Sequence, residues 1–279
     1  MKILVAGAGQ MGSGIAQVSA QHGHSVLLND RSAQFIEAGV GVIAKNLDRA
    51  VEKSRISAAQ RDETLARIAP LPALEGEIDA DIAIEAATEH LETKLDLFTA
   101  LDEHVAQRAI LASNTSSISI TRLAASTKRP KHVIGMHFMN PVPVMALVEI
   151  VRGLETSAQT FEFVRDLAQQ LGKTPVEVRD FPGFISNRVL LPMINEAIYA
   201  LYEGVASVED IDTVMKLGMN HPMGPLQLAD FIGLDTCLSI MEVLHDGFGD
   251  SKYRPCPLLA QYVAAGRLGK KSGRGFYEY

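Results

Sequence analysis

Four polar residues in this sequence stand where their types and surroundings suit proton and hydride chemistry. His137 lies in MHFMNPVPV (136 to 144), Glu149 in the apolar run LVEIV, Ser116 in SNTSSISI (113 to 120) and Asn187 in PGFISNR (182 to 188). An imidazole titrates near neutrality, so His137, the best placed of the eight histidines, suits removal of a hydroxyl proton as hydride leaves the same carbon. A carboxylate on the far ring nitrogen would fix the tautomer and stabilise the imidazolium. Glu149, flanked by Val148 and Ile150, reads as buried and in need of such a partner. Ser116 and Asn187 can donate hydrogen bonds to substrate oxygens that gain charge. Each residue also has a plainer reading. His137 can be a satisfied core histidine, Ser116 and Asn114 helix caps, Glu149 half of a structural ion pair, and Asn187 a turn brace; spacing alone leaves both sets open.

A second constellation sits at the amino terminus. Gly7, Gly9 and Gly12 form G-x-G-x-x-G directly after an apolar run and before a helical pattern, and Asp30 closes the next apolar run. That context is the dinucleotide fingerprint: Gly7 for the tight turn, Gly9 for close approach to a pyrophosphate, and Gly12 for helix-on-strand packing. Amides at the helix start, over Gln10 and Met11, would face the phosphates. Asp30 would accept from the adenosine ribose and repel a 2′-phosphate, so NAD is expected over NADP, although Arg31 next to it would tolerate the phosphate. The plainer alternative is a strand-to-helix turn with an acid at a strand end.

These residues need a scaffold, and the chain is long enough to supply one. It has 279 residues, 47% hydrophobic, with 26 basic against 33 acidic residues and a net charge of -7. That balance argues against nucleic acid or an anionic membrane as partner. No apolar run is long enough to span a membrane. Only Cys237 and Cys256 occur, so no disulfide framework and no cysteine-based metal cluster is expected, and a reducing cytoplasm fits best. No metal site is expected.

The first part alternates apolar runs with helical patterns, which predicts an α/β fold: a Rossmann-like, mostly parallel sheet. Strands are expected over 3 to 7, 25 to 29, 81 to 86, 109 to 113, 132 to 137 and 146 to 151, with helices around 32 to 54 and 91 to 106. Near residue 180 strand-like runs stop. Helices are expected over 184 to 203, 207 to 217, 224 to 230, 233 to 246 and 256 to 265, with Ser207 capping the second. The reading is a dinucleotide-binding domain over 1 to 181 and a smaller all-α domain over 182 to 279, with the boundary at 180 to 183. The polar clusters and Glu149 are expected at strand ends, where open α/β sheets bind ligands, and a cleft between the domains would gather them with PGFISNR.

The segments GAGQMGSG, IEAATE, SNTSSISI, HFMNPVP, LVEIV, PGFISNR, KLGMNHPMGP and GKKSGRGFYEY, in this order from first strand to last residue, resemble the 3-hydroxyacyl-CoA dehydrogenase family. The resemblance implies an NAD-dependent oxidoreductase acting on an (S)-3-hydroxyacyl-CoA, with the 3-hydroxybutyryl-CoA and acetoacetyl-CoA pair expected. It implies His137 as the catalytic histidine, Glu149 as its orienting acid, and Ser116 and Asn187 as active-site and substrate contacts. Cofactor contacts are implied at the glycine loop, Asp30, Glu89, Lys94, Ser116, Asn140 and Lys271, with Asn114 a further candidate, and a CoA contact at Lys53. Lys45, Arg49 and Lys53 recur every four residues and would share one helix face suited to the polyanionic CoA; the alternative is a solvated face balanced by Asp48 and Glu52. Asn46 stands where many relatives have a serine, and Met139 where phenylalanine is frequent. A homodimer formed through the helical domain is also implied. Alternatives are a related hydroxyacid dehydrogenase that lacks CoA, disfavoured by SNTSS and HFMNPVP, and a noncatalytic dinucleotide sensor, disfavoured by the His137 and Glu149 pair.

Overall fold

Apolar runs with no polar face become the middle of a sheet in the computed structural model, which describes residues 1–279. β1 (Lys2–Ala6) is buried after Lys2; it leads through the glycine turn into α1 (Gln10–Gln21), and β2 (Ser25–Asn29) returns parallel to it. α2 (Ala33–Glu52) starts where the Ser32 hydroxyl accepts from the Phe35 amide, and α3 (Ala58–Ala66) starts on a capping box of Ser57 and Gln60. β3 (Ile68–Leu71), β4 (Ile82–Glu85), α4 (Leu91–His104), β5 (Ile110–Ser113) and α5 (Ile120–Ala124) follow. β6 (Val133–Phe138), β7 (Leu147–Arg152), α6 (Ala158–Gln170) and β8 (Thr174–Arg179) complete the first of two compact units, Met1–Asp180.

The eight strands lie in the order β3-β2-β1-β4-β5-β6-β7-β8, every neighbouring pair parallel except β6 and β7. The mostly parallel sheet is therefore as expected, and all six expected strands are present within a residue or two. β3 and β8 were not expected. They are the two edge strands, half-exposed and each containing a proline (Pro70, Pro175), features that weaken the sequence signal of a strand. Helices α3 and α6 were likewise not read from the sequence. The core on one face of this sheet packs against α1 and α2 through Val5, Ile15, Leu28, Ile43, Ile84 and Ile150.

The second unit, Phe181–Tyr279, contains α7 (Ser186–Tyr202), α8 (Val208–Thr213), α9 (Pro225–Ile232), α10 (Leu234–Phe248) and α11 (Pro257–Ala264), and no named strand. Ser207 caps α8 as expected, accepting from Asp210 N. The helix expected over 207 to 217 stops at Thr213 and continues as a wider π turn over Val214–Gly218. Buried Asp212 there accepts the Leu226 and Gln227 amides at the start of α9 (2.8 and 2.9 Å) and the Tyr277 hydroxyl (2.8 Å). Asp230 accepts the Phe276 and Tyr277 amides, each at 2.9 Å. Two buried carboxylates thus tie the last residues of the chain to α8 and α9. The core here is Leu191, Ile194, Ile198, Leu226, Leu234, Met241 and Leu244.

Candidate active site

The glycine turn has the geometry its spacing requires. Gly7 has φ of +115°, in the region that favours glycine. A Cβ on Gly12 would lie 1.8 Å from the Gly7 carbonyl oxygen, so α1 can start this close to β1 only with hydrogen there. A Cβ on Gly9, by contrast, would meet nothing within 4 Å: the backbone at that point faces open space. Gln10 is exposed at the first turn of α1. The Met11 side chain packs on the sheet core, so what it offers a ligand is its backbone N–H at the helix start.

The turn opens on a groove of about 1070 Å³ lined by Gly9, Asp30, Phe35, Leu74, Ala87 and Thr93 among others, large on the scale of roughly 300–1,000 Å³ for small-molecule sites. Asp30 stands at the end of β2, its Oδ2 accepting from Ala8 N at 2.7 Å and its Oδ1 from Arg31 N at 2.7 Å. It therefore buttresses the glycine turn and keeps acceptor capacity for a ribose. The Arg31 guanidinium lies over the Phe35 ring, 4.7 Å from its centroid. Loop geometry, open approach and acid together fit a dinucleotide.

On the far side of β4 the structure builds a network that the sequence only partly announces. Glu85, fully buried at the end of β4, accepts from Lys94 Nζ (2.6 Å), Ala87 N (2.7 Å) and Ser113 Oγ (2.6 Å). Lys94 is 1% exposed, and its ammonium also lies 3.3 Å from Glu89 Oε2. The cofactor contact that the resemblance implies at Lys94 falls on an inward-turned side chain: α4 presents Thr93 and Leu97 to the groove, while the Lys94 ammonium pairs with Glu85 and Glu89. Glu89 Oε1 gathers Thr115 Oγ1 (2.6 Å), Ser116 N (2.9 Å), Ser116 Oγ (3.2 Å), Ser117 N (3.1 Å) and Ser117 Oγ (3.0 Å). Burial works to raise the Glu89 pKa, but Lys94 and these donors outweigh it and hold the carboxyl below its usual range. Glu85 was not singled out from the sequence. The signal was there: an isolated acid in an apolar strand, the same argument that picked out Glu149.

Neither Ser116 nor Asn114 caps the following helix; Ser119 does, accepting from Arg122 N. Ser116 is half-buried and tied to Glu89, and Asn114 Oδ1 accepts from Phe138 N at 2.9 Å, linking the ends of β5 and β6. Asn140, two residues beyond β6, accepts from Gln10 Nε2 at 3.1 Å, so the chain after β6 is held against the start of α1.

His137 and Glu149 are paired residues in the register of β6 and β7, and His137 Nδ1 lies 2.8 Å from Glu149 Oε2. Glu149 is 2% exposed and His137 8%. Glu149 does not stand at a strand end, as expected, but in the middle of β7. Because β7 runs antiparallel to β6, mid-strand is where it meets a histidine near the end of β6. Nδ1 being engaged by the carboxylate, Nε2 is the ring nitrogen on which proton exchange would occur.

Two expected site residues belong to the helical unit. Asn187 is half-buried in the first turn of α7. Lys271 is exposed and its ammonium lies 2.5 Å from Asp235 Oδ1, so a cofactor contact would share it with that carboxylate. Lys45 and Arg49 are exposed on α2 and Lys53 at its C-cap. The balancing role weighed for Asp48 is not what the structure shows: Asp48 accepts from Arg61 Nε at 3.0 Å. Asn46 is turned to α1, its Nδ2 3.4 Å from Gln17 Oε1. His, Cys, Asp and Glu side chains form no group of three or more able to hold a metal ion.

Known proteins align with both units. Residues 2–181 match the model of the 3-hydroxyacyl-CoA dehydrogenase NAD binding domain, and residues 183–279 that of the 3-hydroxyacyl-CoA dehydrogenase C-terminal domain. A probable 3-hydroxybutyryl-CoA dehydrogenase of Bacillus subtilis is 62% identical over 278 residues, covering 100% of this chain and 97% of its own. A 3-hydroxybutyryl-CoA dehydrogenase of Bradyrhizobium diazoefficiens is 56% identical, covering 100% and 95%. The crystal structure of (S)-3-hydroxybutyryl-CoA dehydrogenase from Ralstonia eutropha is similar with a TM-score of 0.96 at 51% identity, covering 100% and 98%.

Proposed function

We infer, because this chain belongs to the 3-hydroxyacyl-CoA dehydrogenase family, that it is an NAD-dependent oxidoreductase interconverting an (S)-3-hydroxyacyl-CoA and its 3-oxo partner, with 3-hydroxybutyryl-CoA and acetoacetyl-CoA as the pair. The observation that carries the chemistry is the 2.8 Å pairing of His137 with buried Glu149. When bound, NAD supplies the hydride acceptor, and NADH the hydride donor for the reverse direction.

The residues assigned to hold the cofactor are the N–H groups over Gly9, Gln10 and Met11 for the pyrophosphate, Asp30 for the adenosine ribose, and Glu89 (seated by Lys94), Ser116, Asn140 and Lys271 for the remainder. His137 Nε2 takes the 3-hydroxyl proton, and in reverse the imidazolium returns it to the forming alkoxide. Glu149 keeps Nδ1 protonated and stabilises the imidazolium, so the ring exchanges its proton at one atom only. Ser116 and Asn187 donate to substrate oxygens that gain charge. Lys53, with Lys45 and Arg49 along the same edge of α2, supplies cations for the phosphates of CoA; none of the three makes an ion pair within the chain.

A homodimer is assigned to the helical unit, where Val189, Val205, Leu217, Met219 and Phe231 are exposed large apolar side chains. No helix is long and apolar enough to cross a membrane. A cytoplasmic location is assigned, consistent with two free buried thiols; burial pushes the Cys237 pKa up to about 12.

Steady-state oxidation of NADH decides the reading. Acetoacetyl-CoA is expected to be turned over, free acetoacetate poorly, and NADPH to substitute weakly for NADH. Comparing short-, medium- and long-chain 3-oxoacyl-CoA thioesters sets the acyl preference. NADH binding with no turnover of any of these thioesters would reject the assignment.

A further inference from the structure

Lys173 is a buried cation with no carboxylate beside it. It is 9% exposed, and its ammonium donates to the carbonyl oxygens of Val142 (2.5 Å) and Met145 (2.8 Å). Burial lowers its pKa, the cost that an unpaired buried charge incurs. Both carbonyls belong to the connection between β6 and β7, the hairpin that carries His137 on one strand and Glu149 on the other. Lys173 itself immediately precedes β8, which pairs with β7, so the clamp joins the connection to the sheet.

That connection is held at four points, three of them through side chains. Asn140 accepts from Gln10 Nε2 at 3.1 Å. Val142 packs on α1 at Gly14, where a Cβ would lie 2.8 Å from the Val142 Cβ. The third point is the Lys173 ammonium. Two fastenings reach toward the start of α1; on the β7–β8 side the Thr174 amide donates to the Ala146 carbonyl at 2.7 Å at the end of the connection, and Lys173 is the side chain that holds its middle. Charge-assisted donation to two carbonyls fixes direction as well as distance.

We propose that Lys173 is a positioning residue of the active-site hairpin: by clamping the Val142 and Met145 carbonyls it keeps Asn140 against Gln10 at the mouth of the glycine loop. The inference rests on the assignment of Asn140 and the glycine loop to NAD binding. It concerns the cofactor end of the site, and it can be read without acyl-CoA.

The test uses the full-length protein with NADH alone. Lys173→Met is expected to weaken NADH binding roughly ten-fold, about the effect of losing one charge-assisted hydrogen bond. Amide exchange should accelerate over residues 139 to 146 while β6 and β7 stay protected. Lys173→Arg, which keeps the charge and donors, is expected to restore part of both. In a double-mutant cycle with Gln10→Ala the two losses should be markedly less than additive, because both act through Asn140. Unchanged NADH affinity and exchange in Lys173→Met, or strict additivity with Gln10→Ala, overturns the proposal. Should Lys173→Met not fold, the cycle is run with Lys173→Arg, and the same additivity counts against it. Failure of the parent protein to turn over acetoacetyl-CoA while these NADH effects persist would instead overturn the functional reading and leave the clamp standing.

Discussion

Glu149 reaches His137 from directly across a β-ladder: the two are register partners on β6 and β7, joined at 2.8 Å between Nδ1 and Oε2. Both are set by backbone hydrogen bonding in the sheet, so neither depends on a mobile loop for its position. The acid is buried and its partner nearly so, which makes the pair stronger than the same contact in water and leaves one defined nitrogen for proton exchange.

Replacing His137 with Gln removes that nitrogen. Turnover of acetoacetyl-CoA with NADH is expected to fall by about two to four orders of magnitude while NADH affinity holds. Glu149→Gln should lower kcat less, since the imidazole remains but loses the charge that stabilises its protonated form. Steady-state kinetics beside NADH titration separates the two effects, and near-normal turnover in His137→Gln would refute the assignment.

Gly12 and Gly9 should respond differently to the same added methyl group. In Gly12→Ala the Cβ collides with the Gly7 carbonyl oxygen, so thermal stability should drop by about 1–3 kcal/mol together with NADH binding. In Gly9→Ala the Cβ meets no protein atom. Its melting temperature should hold while NADH affinity falls by roughly ten-fold or more, as a pyrophosphate is pushed off its donors. Calorimetry and fluorescence titration of both variants give the contrast.

The cations along α2 predict a salt-sensitive KM. Lys53→Ala and Arg49→Ala should each raise KM for acetoacetyl-CoA about two- to five-fold at low ionic strength, the scale of an exposed ion pair. The difference from the parent protein should shrink as salt is added. KM for NADH should not move. An unchanged KM for the thioester in the double variant would remove these residues from the CoA site.

His24 predicts how stability depends on pH. Its Nε2 has no hydrogen-bond partner; burial first, then the chain's amino terminus and His22, lower its pKa below the ordinary 6.5. Above pH 6.5 both folded and unfolded chains carry it neutral, and it contributes no pH dependence. As pH falls through 6.5 the unfolded chain takes up a proton that the folded chain resists, so its share of stability declines until the folded pKa is passed. Urea midpoints measured across this range should fall less steeply in His24→Gln than in the parent protein.

Much of this molecule could be read from residue order. Local rules suffice for the glycine turn, because G-x-G-x-x-G after a buried strand has few other foldings, and for the helical cap at Ser207. The break near residue 180 also shows in composition, where strand-like runs end. The edge strands β3 and β8 were hidden because half-exposed strands containing a proline lack a clean alternation. The partners of Lys94 and Lys173 were hidden for another reason: nothing in a sequence says which way a long charged side chain turns.

By itself the order of residues determined the chemical inventory: a nucleotide loop, an imidazole, an acid that had to be buried, and the family they compose. Which groups touch was decided only when the strands paired. A single antiparallel step in an otherwise parallel sheet sets Glu149 opposite His137, and inward rotation of one face of α4 gives Lys94 to Glu85 and Glu89. Hydrogen bonds and ion pairs act over a few ångströms, whereas these residues lie many positions apart along the chain, so only tertiary folding brings them within range.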